Sequence, residues 1–134
     1  MNQKHIRKQC EQLWARNKYY VLSKSHKVYF EIREYLKETE VDLNVLIQKI
    51  KQVNEIQEIK KDFHNAIFHV WGYFKYSADK VEKEELFRLL EEYRTGESDQ
   101  SSIIHYIRTL LEKYPNNYLQ QSTLITGEQD EIMA

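Results

Sequence analysis

HNAIFHVWGYFKY, residues 64–76, is the stretch whose reading decides the fold. At about 100° per residue, Ile59, Phe63, Ala66, Ile67, Val70 and Phe74 fall on one apolar stripe. Phe68 and Trp71 point away from that stripe, so apolar side chains occupy more than one face. That is the pattern of a helix covered from several sides. One line stays mixed: Asn65, His69, Gly72 and Tyr76 succeed one another at i, i+4, i+7 and i+11. A glycine inside a helix costs about 1 kcal/mol against alanine. Gly72 therefore predicts the close approach of another helix or of a ligand.

On either side of this stretch the chain reads as further helices. Residues 3–22 place Ile6, Cys10, Leu13, Trp14, Tyr20 and Val21 on one apolar side, with Asn17 inside the stripe. A buried amide there needs hydrogen-bond partners. A break at 23–26 makes Ser25 a candidate N-cap. A second helix follows to about residue 38, using Val28, Ile32, Tyr35 and Leu36. Asp42 is a cap for a third, carrying Leu43, Leu46, Ile47, Ile50 and Val53, and a break or kink is expected across 54–58. The fifth spans about 79–94 and stops at Gly96. The sixth uses Ile103, Ile107, Leu110, Leu111 and Tyr114 until Pro115 closes it. One short helix is expected within 116–125, then a mobile tail over 126–134.

The expected fold class is therefore all-α, a compact single-domain bundle of six to seven helices over residues 1–125, with a central apolar helix. Composition agrees. A chain of 134 residues has room for one real core, and three glycines with one proline are too few for a turn-rich β architecture. The single cysteine, Cys10, excludes an internal disulfide, a cysteine-based zinc site and an iron–sulfur cluster held by one chain. It lies on an apolar side and reads as a reduced core thiol. No run of 18 apolar residues and no signal-peptide core occur, so no membrane partner and a cytoplasmic location are expected.

The net charge of −1 conceals an asymmetry. Residues 1–37 carry nine Lys/Arg against three Glu, and the remainder eleven against eighteen acids. Such a split can draw a polyanion to one end, or it can reflect two solvated faces.

Catalytic and metal-binding patterns are scarce. His64 and His69 are five residues apart and diverge by about 140° on a helix, whereas chelation needs i, i+3 or i, i+4 spacing. The acids at Glu38, Glu40 and Asp42 lack the glycine and spacing of a calcium loop. His5 and Cys10 also diverge, and no nucleophile elbow or phosphate loop is present. Neither a metal nor a cofactor is expected. His69 is the best single candidate for a functional histidine, although a histidine on a core helix is more often structural.

Ten tyrosines offer a different chemistry, because several adjoin bases: Arg16, Lys18 and Tyr19; Lys27 and Tyr29; Tyr73, Lys75 and Tyr76. Cations neutralise phosphates while aromatic faces stack on unpaired bases. Tyrosine at a helix edge with its hydroxyl in water is the structural alternative.

Several strings together resemble a known family. Leu13-Trp14-x-x-Asn17-Lys18-Tyr19-x-Val21-Leu22-Ser23-x-Ser25, then Tyr29-x-Glu31-Ile32, resembles the opening of the YbgA-type domain of unknown function. His69-x-x-Gly72-Tyr73-Phe74-Lys75 is similar to its central signature. Glu84-Glu85-Leu86, Glu92-Tyr93-Arg94-x-Gly96 and Tyr114-Pro115-x-x-Tyr118-Leu119 continue it in order. The chain departs from the pattern where Asn17 replaces histidine, where 98–102 replaces a proline-rich segment, where a final Pro-Tyr-Pro is missing, and at Ser122 and Leu124. It resembles a divergent stand-alone member.

The resemblance implies a partner class. The family domain also occurs fused to a thiouracil desulfidase, where it is thought to help present thiolated RNA. The leading expectation is thus a non-catalytic RNA-binding accessory domain, with tRNA and a desulfidase or other protein as candidate partners, associated with RNA thio-modification. The RNA-binding candidates are Arg7, Lys8, Arg16, Lys18, Lys24, Lys27, Tyr73 and Lys75, much of them on one basic surface. Asn17, His69, Gly72 and Tyr73 lie in the family motifs and are the candidates for a shared polar pocket. The alternatives are a helical protein-interaction module and an enzyme built around His69. A continuous positive surface favours the first reading, an exposed apolar groove the second, and a closed polar pocket the third.

Overall fold

Eight α-helices and one 3-10 turn, with no strand, occupy the described residues, 2–128, of the computed structural model. They are α1 (Gln3–Lys24), α2 (His26–Tyr35), α3 (Leu43–Lys51), the 3-10 turn Gln52–Glu55, α4 (Lys60–Trp71), α5 (Lys80–Thr95), α6 (Gln100–Lys113), α7 (Asn117–Gln120) and α8 (Thr123–Thr126). The all-α expectation holds. The extra helix arises because the segment expected to form one terminal helix divides at Ser122 into two short ones. Of the expected tail, residues 129–134 lie outside the described residues.

Short polar side chains set the boundaries. The Ser25 N–H closes α1 on the Val21 carbonyl at 2.8 Å, and its hydroxyl accepts from Val28 N at 3.1 Å to open α2. Asp42 caps α3, and Asp79 and Glu82 form a reciprocal capping box on α5. Asp99 caps α6, so this helix starts inside the 98–102 segment where the chain departs from the family pattern. Gly96 ends α5 in the left-handed region at φ 88°, where glycine avoids the Cβ penalty.

Two apolar clusters share α1. In the larger, Phe63, Ala66, Ile67, Val70 and Phe74 pack with residues of α5, α6, α7 and α8, among them Leu86, Leu90, Ile107 and Leu119. In the smaller, Cys10, Leu13 and Val21 meet Val28 and Ile32 of α2 and Leu46 and Ile50 of α3. α4 is thus the apolar spine of one cluster, while α1, 22 residues long, contacts α2, α3, α4 and α8 and joins both. Cys10 is a buried free thiol whose pKa burial raises.

α4 is shorter than its pattern suggested. It stops at Trp71, after which Tyr73 N bonds Val70 O at 3.0 Å and Phe74 N bonds Trp71 O at 2.8 Å. These tighter turns bring Phe74 into the core without a full helix. Gly72 is solvent-exposed at the C-cap, and an added Cβ there would meet only the His69 carbonyl oxygen, at 3.1 Å. It marks the end of α4 and admits no neighbouring helix. Phe68 and His69 are exposed, so α4 is covered on most of its circumference and open on one side.

Two polar ties hold the elements in register. Glu82 accepts from Tyr114 Oη at 2.6 Å and from Lys113 Nζ at 3.0 Å, pinning the start of α5 to the end of α6. Tyr93 Oη donates to Glu58 at 2.7 Å, while Lys60 Nζ donates to the Tyr93 carbonyl at 2.9 Å.

Candidate nucleic-acid interface

Tyrosines distant in sequence converge where α1, the turns after α4, and α7 meet. The Tyr19 and Tyr73 hydroxyls are hydrogen-bonded at 2.9 Å. The Tyr73 and Tyr118 rings stack at 5.8 Å with an interplanar angle of 6°, and Tyr19 stands edge-on to both. Lys18 places its ammonium 5.2 Å from the Tyr19 ring centroid and 5.4 Å from that of Tyr118. A cation at that range is attracted by the ring quadrupole.

The burial of these rings is graded. Tyr19 is buried, Tyr118 and Lys18 half-buried, and Tyr73 37% exposed. Burial, reinforced by the hydrogen bond to Tyr73, raises the Tyr19 pKa above the ordinary phenol value. Burial, and then the Tyr73 and Tyr29 hydroxyls, push Tyr118 up to about 12. The Tyr19 and Tyr118 phenols therefore stay protonated at physiological pH.

The influence of Tyr29 on both phenols links this cluster to a second one on α2. Tyr29 packs against Trp14 at 5.5 Å and Phe30 at 5.3 Å, with the Arg33 guanidinium 5.9 Å and 5.8 Å from the two α2 rings. Phe30 is 52% exposed. Alongside, Asn65 Nδ2 and His26 Nε2 are hydrogen-bonded at 2.7 Å, and the His26 N–H donates to Asp62 at 3.1 Å. Lys75 and Tyr76, both exposed, stack next to Tyr73 in sequence, with Nζ 5.0 Å from the ring centroid.

The basic residues singled out in the sequence occupy several settings. Lys18 and Tyr73 belong to the tyrosine cluster, and Lys75 follows Tyr73 by two residues with its ammonium over the Tyr76 ring. Arg7 instead donates to the carbonyls of Leu36 and Glu38, tying the end of α2 to α1. Lys24 lines a cavity with residues of α4, α6 and α8. Lys8, Arg16 and Lys27 are exposed. Arg7 and Lys24 thus each have local surroundings of their own.

The four candidates for a shared polar pocket differ in their settings. Asn17 is fully buried, donating to Leu13 O at 2.9 Å and accepting from Thr123 Oγ1 at 2.8 Å. His69 and Gly72 are exposed, and the His69 side chain makes no hydrogen bond, ion pair or ring contact among the described residues. Only Tyr73 of the four joins the cluster. Sequence reading had no means of weighting Phe30, Arg33 and Tyr118 as surface residues, although Tyr118 stood in a recognised motif. Among the described residues no group of three or more His, Cys, Asp or Glu is placed to hold a metal, and no helix is long and apolar enough to cross a membrane.

No solved structure matches the chain. The uncharacterized protein YbgA of Escherichia coli (strain K12) is 32% identical over 59 residues, which cover 44% of this chain and 35% of that protein. The chain thus matches about a third of the length of this curated relative. The family described as "Protein of unknown function (DUF1722)" matches residues 18–126, a span that takes in Lys18, Tyr19, Tyr73 and Tyr118, the larger apolar cluster and most of the smaller one, and the chain belongs to that family.

Proposed function

We propose that the chain binds single-stranded RNA on the face formed by Lys18, Tyr19, Tyr73 and Tyr118, extended by Tyr29, Phe30 and Arg33. The observation that carries this reading is the stacked Tyr73–Tyr118 pair, with Lys18 over Tyr118 and part of Tyr73 open to solvent. Unpaired bases stack on exposed aromatic rings at about 1–3 kcal/mol per base. Lys18, Arg33 and Lys75 supply phosphate contacts around those rings. Buried Tyr19 and half-buried Tyr118 hold Tyr73 in place, so little side-chain freedom is lost on binding. The role is non-catalytic, and the family resemblance makes a single-stranded segment of a thiolated tRNA the first probe to use.

Fluorescence anisotropy with such a segment at several salt concentrations tests this. Lys18→Glu with Arg33→Glu weakens binding at least tenfold and makes its salt dependence shallower, with helix content unchanged. A wild-type protein that binds no cellular RNA, or equal affinities and salt slopes for both proteins, removes the reading. The protein-interaction alternative is favoured by one feature, the half-exposed Phe68 packed at 5.5 Å against Phe87 on the α4–α5 side. Phe68→Ser would then abolish complex formation and leave RNA affinity unaltered.

A further inference from the structure

Residues of α1, α4, α6 and α8 border a polar cavity of about 290 Å³ that is open to solvent on one side. Its wall includes Lys24 at the end of α1, Arg108 on α6, and Ser23, Gln100 and Ser101. Neither Lys24 nor Arg108 forms an ion pair among the described residues, and no carboxylate is part of the wall. Elsewhere on α5 and α6 the pattern is the opposite: Arg88, Arg94 and Lys113 each hold a glutamate. Arg108, exposed on α6, is oriented by its Nε, which donates to the Ile125 carbonyl at 2.7 Å, and its two terminal nitrogens have no hydrogen-bond partner among the described residues.

We infer that this cavity, formed by Lys24, Arg108, Ser23, Gln100 and Ser101, is a binding site for a phosphate monoester. A dianionic phosphate presents several acceptor oxygens and no donors to speak of. An ammonium, the two remaining guanidinium nitrogens and the Ser101 hydroxyl are complementary to it, whereas the Ser23 hydroxyl is already committed to the Tyr20 carbonyl at 2.6 Å; an arginine fork held at its Nε suits bidentate contact. The positive end of α6, whose first turn contributes Gln100 and Ser101, adds in the same direction. Two acids oppose. Asp99 directs its carboxylate to the N–H and hydroxyl of Ser102, both at 2.9 Å. Glu112 lines the adjoining groove beside Arg108. Neither enters the cavity wall, so the local balance stays cationic. The volume accommodates a phosphate with a small organic group, and the site stands independently of the RNA reading.

The test is a titration with inorganic phosphate followed by backbone amide chemical shifts, at ionic strength held constant with chloride. Saturable shifts concentrated at Lys24, Gln100 and Ser101 are expected. Lys24→Gln and Ser101→Asp each weaken binding at least tenfold, while Lys8→Gln leaves it unchanged. Ser101 is exposed, so its variant keeps the test valid if another substitution impairs folding. Shifts that do not saturate, or that are equal in all four proteins, overturn the site. Two further arms identify the source of the phosphate. If RNA bearing a 5′-phosphate binds more tightly than its 5′-hydroxyl form, and Lys24→Gln abolishes the difference, the ligand is an RNA terminus. If the two RNAs are equal and a nucleoside monophosphate saturates the site, the ligand is a free ester. Tyr73→Ala tests the RNA reading separately, because it leaves phosphate binding at the cavity intact.

Discussion

Thr123 Oγ1 donates a hydrogen bond of 2.8 Å to Asn17 Oδ1 across 106 residues of sequence. Both residues are buried, and the contact fastens α8 to the middle of α1. Asn17 also donates back to Leu13 O at 2.9 Å within its own helix. A core amide is retained without large penalty when its donor and acceptor are both satisfied. The same pair explains how the terminal short helices stay docked, since four residues are too few to form a stable helix unaided.

Asn17→Ala therefore leaves the Thr123 hydroxyl without this acceptor and opens a small void. The expected loss is about 2 kcal/mol of folding stability. In a double-mutant cycle with Thr123→Val, denaturant unfolding should give less than the sum of the single losses, with a coupling of about 0.5–1.5 kcal/mol. Strictly additive losses would mean that the two side chains do not interact in solution.

Acid sensitivity should be traceable to Glu82. Its hydrogen bonds from Tyr114 and from the Asp79 N–H, followed by Lys113, lower its pKa from 4.5 to about 2. Between those values the unfolded chain binds more protons than the folded one, so stability rises with pH through the window. The contribution is complete above about 4.5 and is lost as pH falls towards 2. Glu82→Gln keeps acceptors for Tyr114 and Asp79 but has no charge to protonate. Unfolding curves from pH 2 to 7 should show the variant less stable at neutral pH and converging with wild type at the acid end. Parallel pH profiles would show that this carboxyl does not titrate differently on folding.

Gly96 isolates a backbone effect. An added Cβ meets no heavy atom within 4 Å, so only the left-handed conformation at φ 88° opposes a side chain. Gly96→Ala should cost about 1 kcal/mol, and Gly96→Asn clearly less, because asparagine tolerates this region. Thermal unfolding of the three proteins checks the order. Equal melting temperatures for alanine and glycine would mean that the chain leaves this conformation readily.

Helix identities and caps were legible because each depends on a few adjacent residues. Ser25, Asp42 and Gly96 act locally, and their roles follow from their types. The two-cluster organisation was less so. α1 buries Cys10 and Leu13 against α2 and α3, then Tyr19 and Leu22 against α4 and the C-terminal helices. No single stripe describes a helix whose buried face changes along its length. The phosphate-sized cavity was invisible for a related reason: Lys24 and Arg108 are 84 positions apart, and the packing of α1 on α8 and of α8 on α6 brings them to one cavity. His69 and Gly72 stood out as members of a motif, yet the shortened α4 leaves both at the surface.

Tyr73 separates stability from recognition. Tyr73→Phe removes the hydroxyl that pairs with Tyr19 and leaves the ring stacked on Tyr118. Losing this partly buried hydrogen bond should cost about 1 kcal/mol of stability, while RNA affinity stays within about threefold because the stacking face is intact. Tyr73→Ala removes the ring as well. It should weaken RNA binding by about tenfold or more, the equivalent of one lost base–aromatic stack. Tyr118, no longer covered on one face, should titrate closer to an ordinary phenol when followed by ultraviolet absorbance in alkali. Anisotropy and denaturant unfolding on the same three proteins settle the matter. If phenylalanine and alanine impair RNA binding equally, the hydroxyl rather than the ring face makes the contact, and the site reads a base edge instead of stacking on a base.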